Sequence, residues 1–161
     1  MGVLDRFRRH EPTRGERPGG ERPAPDDVLE PEPLDEVASR PLTADEESRL
    51  EASRLRYAAL GIDPADLASI GSAWDAALTR GDETEASEVV TVVAAAIGDH
   101  LVGAGYRWVM STDPFGTDLA VEPPRRGVPV VVRTLVAVRW MKRESGWVEG
   151  VAGHLARSAR R

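Results

Sequence analysis

Few residues of this 161-residue chain are able to do chemistry, and their spacing argues against most kinds of catalysis. The histidines are His10, His100 and His154, and none has a second histidine three or four residues away, the spacing by which a helix presents two imidazoles to one metal ion. The chain has no cysteine, which excludes thiolate metal sites, disulfides and a cysteine nucleophile. We therefore predict no catalytic residue set, no metal site and no cofactor.

Acidic residues leave one route to catalysis open. Asp99 and His100 are adjacent in a predicted helix, where neighbours point about 100° apart, so they cannot orient each other as a dyad. Asp113 and Asp118 flank a predicted hairpin turn, and two carboxylates that approach each other there could do general acid–base work. Turn aspartates more commonly cap local backbone amides. A small hydrolase-like enzyme at this acidic turn site is kept as an alternative.

Capping signals predict three helices in the first half of the domain. Thr43 and Glu46 form a capping box that opens a helix running to about residue 60. Asp63, followed by Pro64, is the predicted N-cap of a second helix, which ends at Gly81. Asp82 is the predicted N-cap of a third, although its β-branched run over residues 89–93 leaves a strand as the competing interpretation.

After residue 105 the hydrophobic period changes to two. Residues 106–110 and 118–121 are predicted to form a hairpin around a turn at 113–116, and residues 128–133 a third strand. Thr134 is the predicted N-cap of a helix over 135–143, with a long strand through these residues as the alternative. A break at Ser145 precedes a last amphipathic helix. The sequence thus predicts an α+β fold, with about three N-terminal helices packed on a small antiparallel sheet of about three strands, followed by C-terminal helices.

The N-terminal segment has a different composition from the rest. Residues 1–42 hold 7 of the 12 prolines, interleaved with charged residues and with few apolar ones. Such a composition buries too little apolar surface to offset the entropy of ordering the chain. We predict a disordered tail over 1–42 and a single α+β domain over 43–158.

Charge is distributed unevenly along the chain, whose formal net charge is −6. Residues 43–124 carry 5 basic residues against 15 acidic ones, whereas residues 125–161 carry 9 against 2. We expect the acidic and basic blocks to face each other in the fold. The alternative is an anionic partner at the basic end.

Three short motifs stand close together in the middle of the chain. They are IGDHL at residues 97–101, GYRWV at residues 105–109, and Asp113 followed by GTDLA at residues 116–120. Together they resemble an uncharacterised bacterial family catalogued as domain of unknown function 3806. Residues 138–144 resemble its closing motif, whereas Arg133-Thr134 stands where the family usually has an aromatic–proline pair. Over residues 65–145 the resemblance implies an α+β domain and no particular activity, cofactor or substrate.

The function that remains is binding. Tryptophan and arginine dominate interface energetics, and the candidate partner-binding residues are Arg107, Trp108, Trp140, Lys142, Arg143 and Trp147. With only 5% aromatic residues the core competes for the same tryptophans, and Arg107 is expected to face solvent if Trp108 faces inward.

We predict a cytoplasmic bacterial protein without enzymatic activity, in which the domain binds a protein partner in a regulatory or inhibitory role. No run of the ~18–20 apolar residues that a membrane span needs is apparent. Nucleic-acid binding through the basic block, with Trp140 and Trp147 stacking on bases, is a further alternative. It is disfavoured because a net charge of −6 repels a phosphate backbone. The sequence leaves the oligomeric state open.

Overall fold

The computed structural model describes residues 37–125 and 127–159. Its elements are, in chain order, β1 (Ala38–Arg40), α1 (Ala44–Arg54), α2 (Tyr57–Leu60), α3 (Leu67–Arg80), α4 (Ala86–Gly103), β2 (Arg107–Asp113), β3 (Gly116–Glu122), α5 (Val132–Met141) and α6 (Val148–Ala159). The domain is α+β with a three-stranded antiparallel sheet in the order β1-β2-β3.

The first helices follow the predicted capping signals in part. Thr43 Oγ1 accepts from the Glu46 amide at 3.4 Å, and Glu46 Oε2 accepts from the Thr43 amide at 2.8 Å, so the capping box is formed. The predicted single helix is interrupted after Arg54, and the short α2 ends at Gly61, whose φ of 67° is left-handed. Glycine is favoured there because it has no Cβ to clash.

Two predicted N-caps are wrong by a few residues. The N-cap of α3 is Asp66, which accepts from the Ala68 amide at 3.0 Å, whereas Asp63 accepts from the Ala65 amide and closes the turn before the helix. Asp82 likewise accepts from the Thr84 amide and hydroxyl, and α4 begins only at Ala86. In both cases the first aspartate is used by a local turn.

The predicted sheet has the right number of strands but one wrong member. Residues 128–133 do not form a strand: Val130 makes an isolated bridge to Val121, and α5 begins at Val132. Pro129 lies inside the predicted strand and has no N–H to donate to a ladder. The third strand is instead β1, which pairs with β2 from Ala38↔Thr112 to Arg40↔Met110.

This strand corrects both the order of elements and the domain boundary. β1 precedes every helix of the described residues, and the described fold already includes Ala38, which lies before the predicted boundary at residue 43. Residues 38–40 are exposed along their whole length, so no apolar alternation marks them as a strand. The predicted disorder of residues 1–36 lies outside the described residues.

Helix α4 is the centre of the domain and packs on α1, α3, α5, α6 and the sheet. Its 18 residues have a mean hydropathy of 1.3, long and apolar enough to cross a bilayer by length and composition, but 56% of that stretch is buried within this fold. The competing strand interpretation of residues 89–93 is therefore wrong. Burial on several sides explains why its apolar residues are not confined to one stripe.

A cluster of three tryptophans joins α3, α5 and the start of α6. Trp74 is fully buried, with Trp140 and Trp147 meeting it edge-on at ring-centroid distances of 5.6 Å each. The Trp74 indole donates to the Glu144 carbonyl at 2.8 Å. The predicted helix is therefore confirmed and the strand alternative is wrong, because Trp140 reaches the cluster from α5. The predicted N-cap Thr134 is also wrong: α5 begins at Val132, so Thr134 lies inside it.

Candidate functional site: the Trp108 cleft

Asp99, on the last turns of α4, gathers donors from three other parts of the chain. Arg54 binds it with two nitrogens, Nε to Oδ2 at 2.9 Å and Nη2 to Oδ1 at 2.6 Å. The Tyr57 hydroxyl donates to Oδ2 at 2.9 Å, and the Trp108 indole donates to Oδ1 at 2.9 Å. One carboxylate therefore ties α1, α2 and β2 to α4.

The electrostatics of this cluster favour a permanently charged carboxylate. Burial alone would raise the pKa of Asp99, but hydrogen bonds from Arg54, Trp108 and Tyr57 outweigh it and hold the pKa below its ordinary value. Burial, with the negative charge of Asp99 beside it, raises the pKa of Tyr57, so the phenol stays protonated and keeps donating. With four donors on its two oxygens, Asp99 acts as an anchor rather than as a proton carrier.

Trp108 is the only one of the four tryptophans that is not buried, and α4 is shaped to receive it. A Cβ added at Gly98 would lie 2.1 Å from Cη2 and from Cζ2 of the indole, so only glycine allows the ring to lie this close to the helix. The Gly98 contact and the Asp99 hydrogen bond together fix the plane of the ring.

An open cleft of about 610 Å³ lies beside this indole and is called the Trp108 cleft. Its lining residues come from the β1–α1 connection, from α1 and from β2; they are Pro41, Leu42, Ala44, Glu47, Ser48, Leu50, Glu51, Arg54 and Trp108. The exposed Glu47 and Glu51 lie one turn apart on α1, and Arg54, the only cation of the lining among the described residues, is already paired with Asp99 and Glu51. The cleft combines an apolar floor, a fixed aromatic ring and an acidic rim.

Of the predicted partner-binding residues, two lie near this cleft. Trp108 forms part of it, and Arg107 faces solvent on the other side of β2, as expected. Arg107 pairs with Glu122 across the hairpin, with Nε to Oε2 at 2.6 Å. Its charge is therefore partly compensated.

The other four predicted residues lie elsewhere, and two serve the core. Trp140 and Trp147 are 7% and 5% exposed, too little to anchor a partner. Arg143 is exposed in part but stacks over Trp140 at 5.6 Å and donates to the Leu78 carbonyl at the end of α3. Lys142 is exposed at the end of α5.

The acidic turn site consists of two capping aspartates. Asp113 Oδ1 accepts from the amides of Phe115 and Gly116, at 2.8 and 3.1 Å, and Asp118 Oδ1 accepts from the Leu119 amide at 2.7 Å. Both line a small pocket of about 130 Å³, together with Ser111 and Thr134. Each carboxylate is engaged by the backbone, the use that turn aspartates usually have.

The histidines and carboxylates of the described residues form no group of three or more that could hold a metal ion. His100 Nδ1 lies 2.9 Å from the Pro64 carbonyl oxygen and links α4 to the turn before α3. His154 is exposed on α6, and His10 lies outside the described residues.

The expected pairing of the acidic and basic blocks does not occur over residues 127–159. No side chain of that segment forms an ion pair with another described residue. Arg139 instead lies over Trp147, 4.5 Å from the ring centroid, and donates to the Leu135 carbonyl. The positive charge of α5 and α6 thus remains uncompensated by acids of the described fold.

Sequence reasoning missed Arg54, Tyr57 and the role of Asp99. Asp99 follows a long apolar run and precedes Leu101, which is fully buried, so a polar residue at the edge of a core helix was the available signal. Its partners Tyr57 and Arg54 could not be predicted from the sequence pattern, because they lie 42 and 45 residues away along the chain.

In a comparison with known proteins, no protein family, no curated protein and no solved structure matches this chain. The resemblance of residues 65–145 to the domain of unknown function 3806 family therefore stays a prediction.

Proposed function

We propose that this domain is a non-enzymatic interaction module whose Trp108 cleft binds a basic segment of a partner protein. The observation that carries the proposal is Trp108 itself, a partly exposed indole fixed in place at the side of an acidic cleft. A ring held rigid before binding loses little entropy when a ligand packs on it. Tryptophan is also among the residues that most often dominate binding energy.

The charge of the cleft selects the partner. Glu47 and Glu51 line the cleft, and the charge of the lining residue Arg54 is paired with Asp99, so the cleft carries an excess of negative charge. An indole face attracts guanidinium and ammonium groups through its quadrupole. A partner segment with arginine or lysine beside an apolar residue fits both features.

The test uses three synthetic decapeptides with the same apolar residues, carrying four arginines, four glutamates or four serines. Because the other three tryptophans are buried, a change in tryptophan emission on titration reports on Trp108. We expect the arginine peptide to bind the full chain, and the glutamate and serine peptides to bind at least about tenfold more weakly.

A pair of charge-reversal variants locates the binding. Glu47→Lys with Glu51→Lys changes only exposed positions of the cleft rim, and Glu83→Lys with Glu149→Lys makes the same change of charge on exposed residues elsewhere. The rim variant should lose arginine-peptide affinity by about tenfold, and the control should lose about twofold or less. Equal binding of the three peptides, or equal losses in the two variants, would refute the proposal.

A second candidate, binding of nucleic acid by α5 and α6, is favoured by one observation, the absence of ion pairs over residues 127–159 among the described residues. The buried Trp140 and Trp147 do not offer the stacking platform that the sequence suggested. Its test is a salt titration of binding to a labelled DNA duplex, in which phosphate contacts give a steep negative slope of log affinity against log salt. A flat slope would eliminate it.

A further inference from the structure

Phe115, at the tip of the β2–β3 hairpin, is 97% exposed, the most exposed large apolar side chain among the described residues. The two-residue turn places it at the extreme end of the hairpin, and Asp113 and Asp118 lie beside the turn on one face of the hairpin. An isolated exposed leucine or valine is common on protein surfaces, whereas this phenyl ring leaves almost all of its apolar surface in water. We call residues 113–118 the acidic tip.

A pocket of about 100 Å³ lies between α1, α4, β3 and the start of α5. Its apolar lining is Leu50, Ala94, Ala95, Trp108, Leu119 and Val132. Arg49 and Arg133, both exposed, also line it and supply two positive charges. We call it the arginine-lined pocket; it shares Leu50 and Trp108 with the Trp108 cleft.

The acidic tip and the arginine-lined pocket match in size and in charge. A closed cavity of about 150 Å³ accepts a whole benzene molecule. A pocket of 100 Å³ that is open on one side therefore has room for the outer part of a phenyl ring. The tip carries two aspartates and the pocket is lined by two arginines, so insertion brings opposite charges towards each other.

We propose that the domain forms a two-fold symmetric dimer in which Phe115 of each copy inserts into the arginine-lined pocket of the other. Phe115 lies in the turn before β3, and the pocket residue Leu119 lies within β3. A two-fold axis makes the contact reciprocal, because the tip that enters the partner's pocket is matched by the partner's tip entering this one. Such a contact closes on itself and does not continue into a filament.

This inference does not rest on the basic-segment proposal: the two pockets share Leu50 and Trp108, but the ligand here is a second copy of the chain and the readout is mass rather than peptide binding. The measurement is sedimentation velocity of the full chain from about 1 µM to about 500 µM, a range that covers the affinities of small reversible interfaces. We expect a concentration-dependent shift from the 17.5 kDa monomer to a species of twice that mass.

Three variants make the test specific. Phe115→Ser removes the ring and should weaken dimerisation at least about tenfold. Arg49→Glu with Arg133→Glu should do the same through repulsion of the acidic tip. Met141→Ser, at a position 81% exposed on α5, is the matched control and should leave the dimer unchanged.

Mixing the two defective variants provides a positive test. Phe115→Ser retains an intact pocket and the arginine double variant retains an intact tip, so the mixture restores one of the two insertions. We expect a heterodimer that is weaker than the wild-type dimer but stronger than the dimer formed by either variant alone. A chain that stays monomeric to about 500 µM, a dimer indifferent to Phe115→Ser, or a mixture that fails to associate would each overturn the proposal.

Discussion

Replacement of Gly98 by alanine gives the sharpest test of how Trp108 is held. The added methyl group would lie 2.1 Å from two atoms of the indole and 3.1 Å from a third. Carbon atoms in contact are normally about 3.5–4.0 Å apart. The ring therefore has to move by more than 1 Å, and movement on that scale breaks the 2.9 Å hydrogen bond from Trp108 Nε1 to Asp99.

The expected cost follows from opposing contributions. Overpacking costs about 1–3 kcal/mol, and loss of a hydrogen bond to a charged group costs about 1.5–3 kcal/mol. Against them, alanine is favoured over glycine within a helix by about 0.5–1 kcal/mol. We expect Gly98→Ala to lower the free energy of unfolding by about 2–4 kcal/mol, as the balance of these terms.

Urea denaturation followed by far-UV circular dichroism measures this cost. Gly103→Ala on the same helix and Gly150→Ala on α6 are matched controls, because nothing lies within 4 Å of a Cβ at either position. Both should leave stability unchanged or raise it slightly. In a Trp108→Leu background, Gly98→Ala should cost much less, because the clashing ring atoms are gone. A Gly98→Ala protein as stable as the controls would refute this account of the close contact.

Two further substitutions test the polar contacts. Asp99→Asn should lower the free energy of unfolding by about 1–3 kcal/mol near neutral pH. Because the folded-state pKa of Asp99 lies below its ordinary 3.8, the stabilisation by the charged carboxylate is present above that value and is lost as the pH falls through the folded-state pKa. In urea titrations the stability difference between wild type and variant should therefore shrink below about pH 4. Arg143 has a φ of 52°, so the Arg143→Gly protein should be more stable than the Arg143→Ala protein by about 1 kcal/mol. Both variants lose the hydrogen bond to the Leu78 carbonyl, but only glycine relieves the left-handed strain. Equal thermal midpoints of the two variants would contradict this.

Sequence patterns predicted the elements whose signals are local. The Thr43–Glu46 capping box, the glycine stops at Gly61 and Gly81, and the β2–β3 hairpin are all present, because each depends on residues within one turn of the chain.

The errors concern interactions between distant segments. β1 is a strand only because β2 offers it an edge some 70 residues later, and nothing in the residues Ala38–Arg40 favours strand over coil. The same holds for the Asp99 cluster, whose donors come from α1, α2 and β2. A sequence pattern records which residues are apolar or polar, but not which polar residues will meet.

The way in which Trp108 is held bears on why it is there. Trp74, Trp140 and Trp147 fill the core and contact one another, so their size is used for packing. Trp108 is different: its surroundings include a glycine that leaves room for it, a carboxylate that fixes its N–H, and an arginine and a tyrosine that fix the carboxylate. A residue needed only to cover apolar surface would not require an N–H acceptor, since leucine or methionine covers such surface without a polar atom. These contacts fix the orientation of the Trp108 ring rather than merely burying it. The proposed function therefore rests on the Trp108 cleft and not on the three tryptophans of the core.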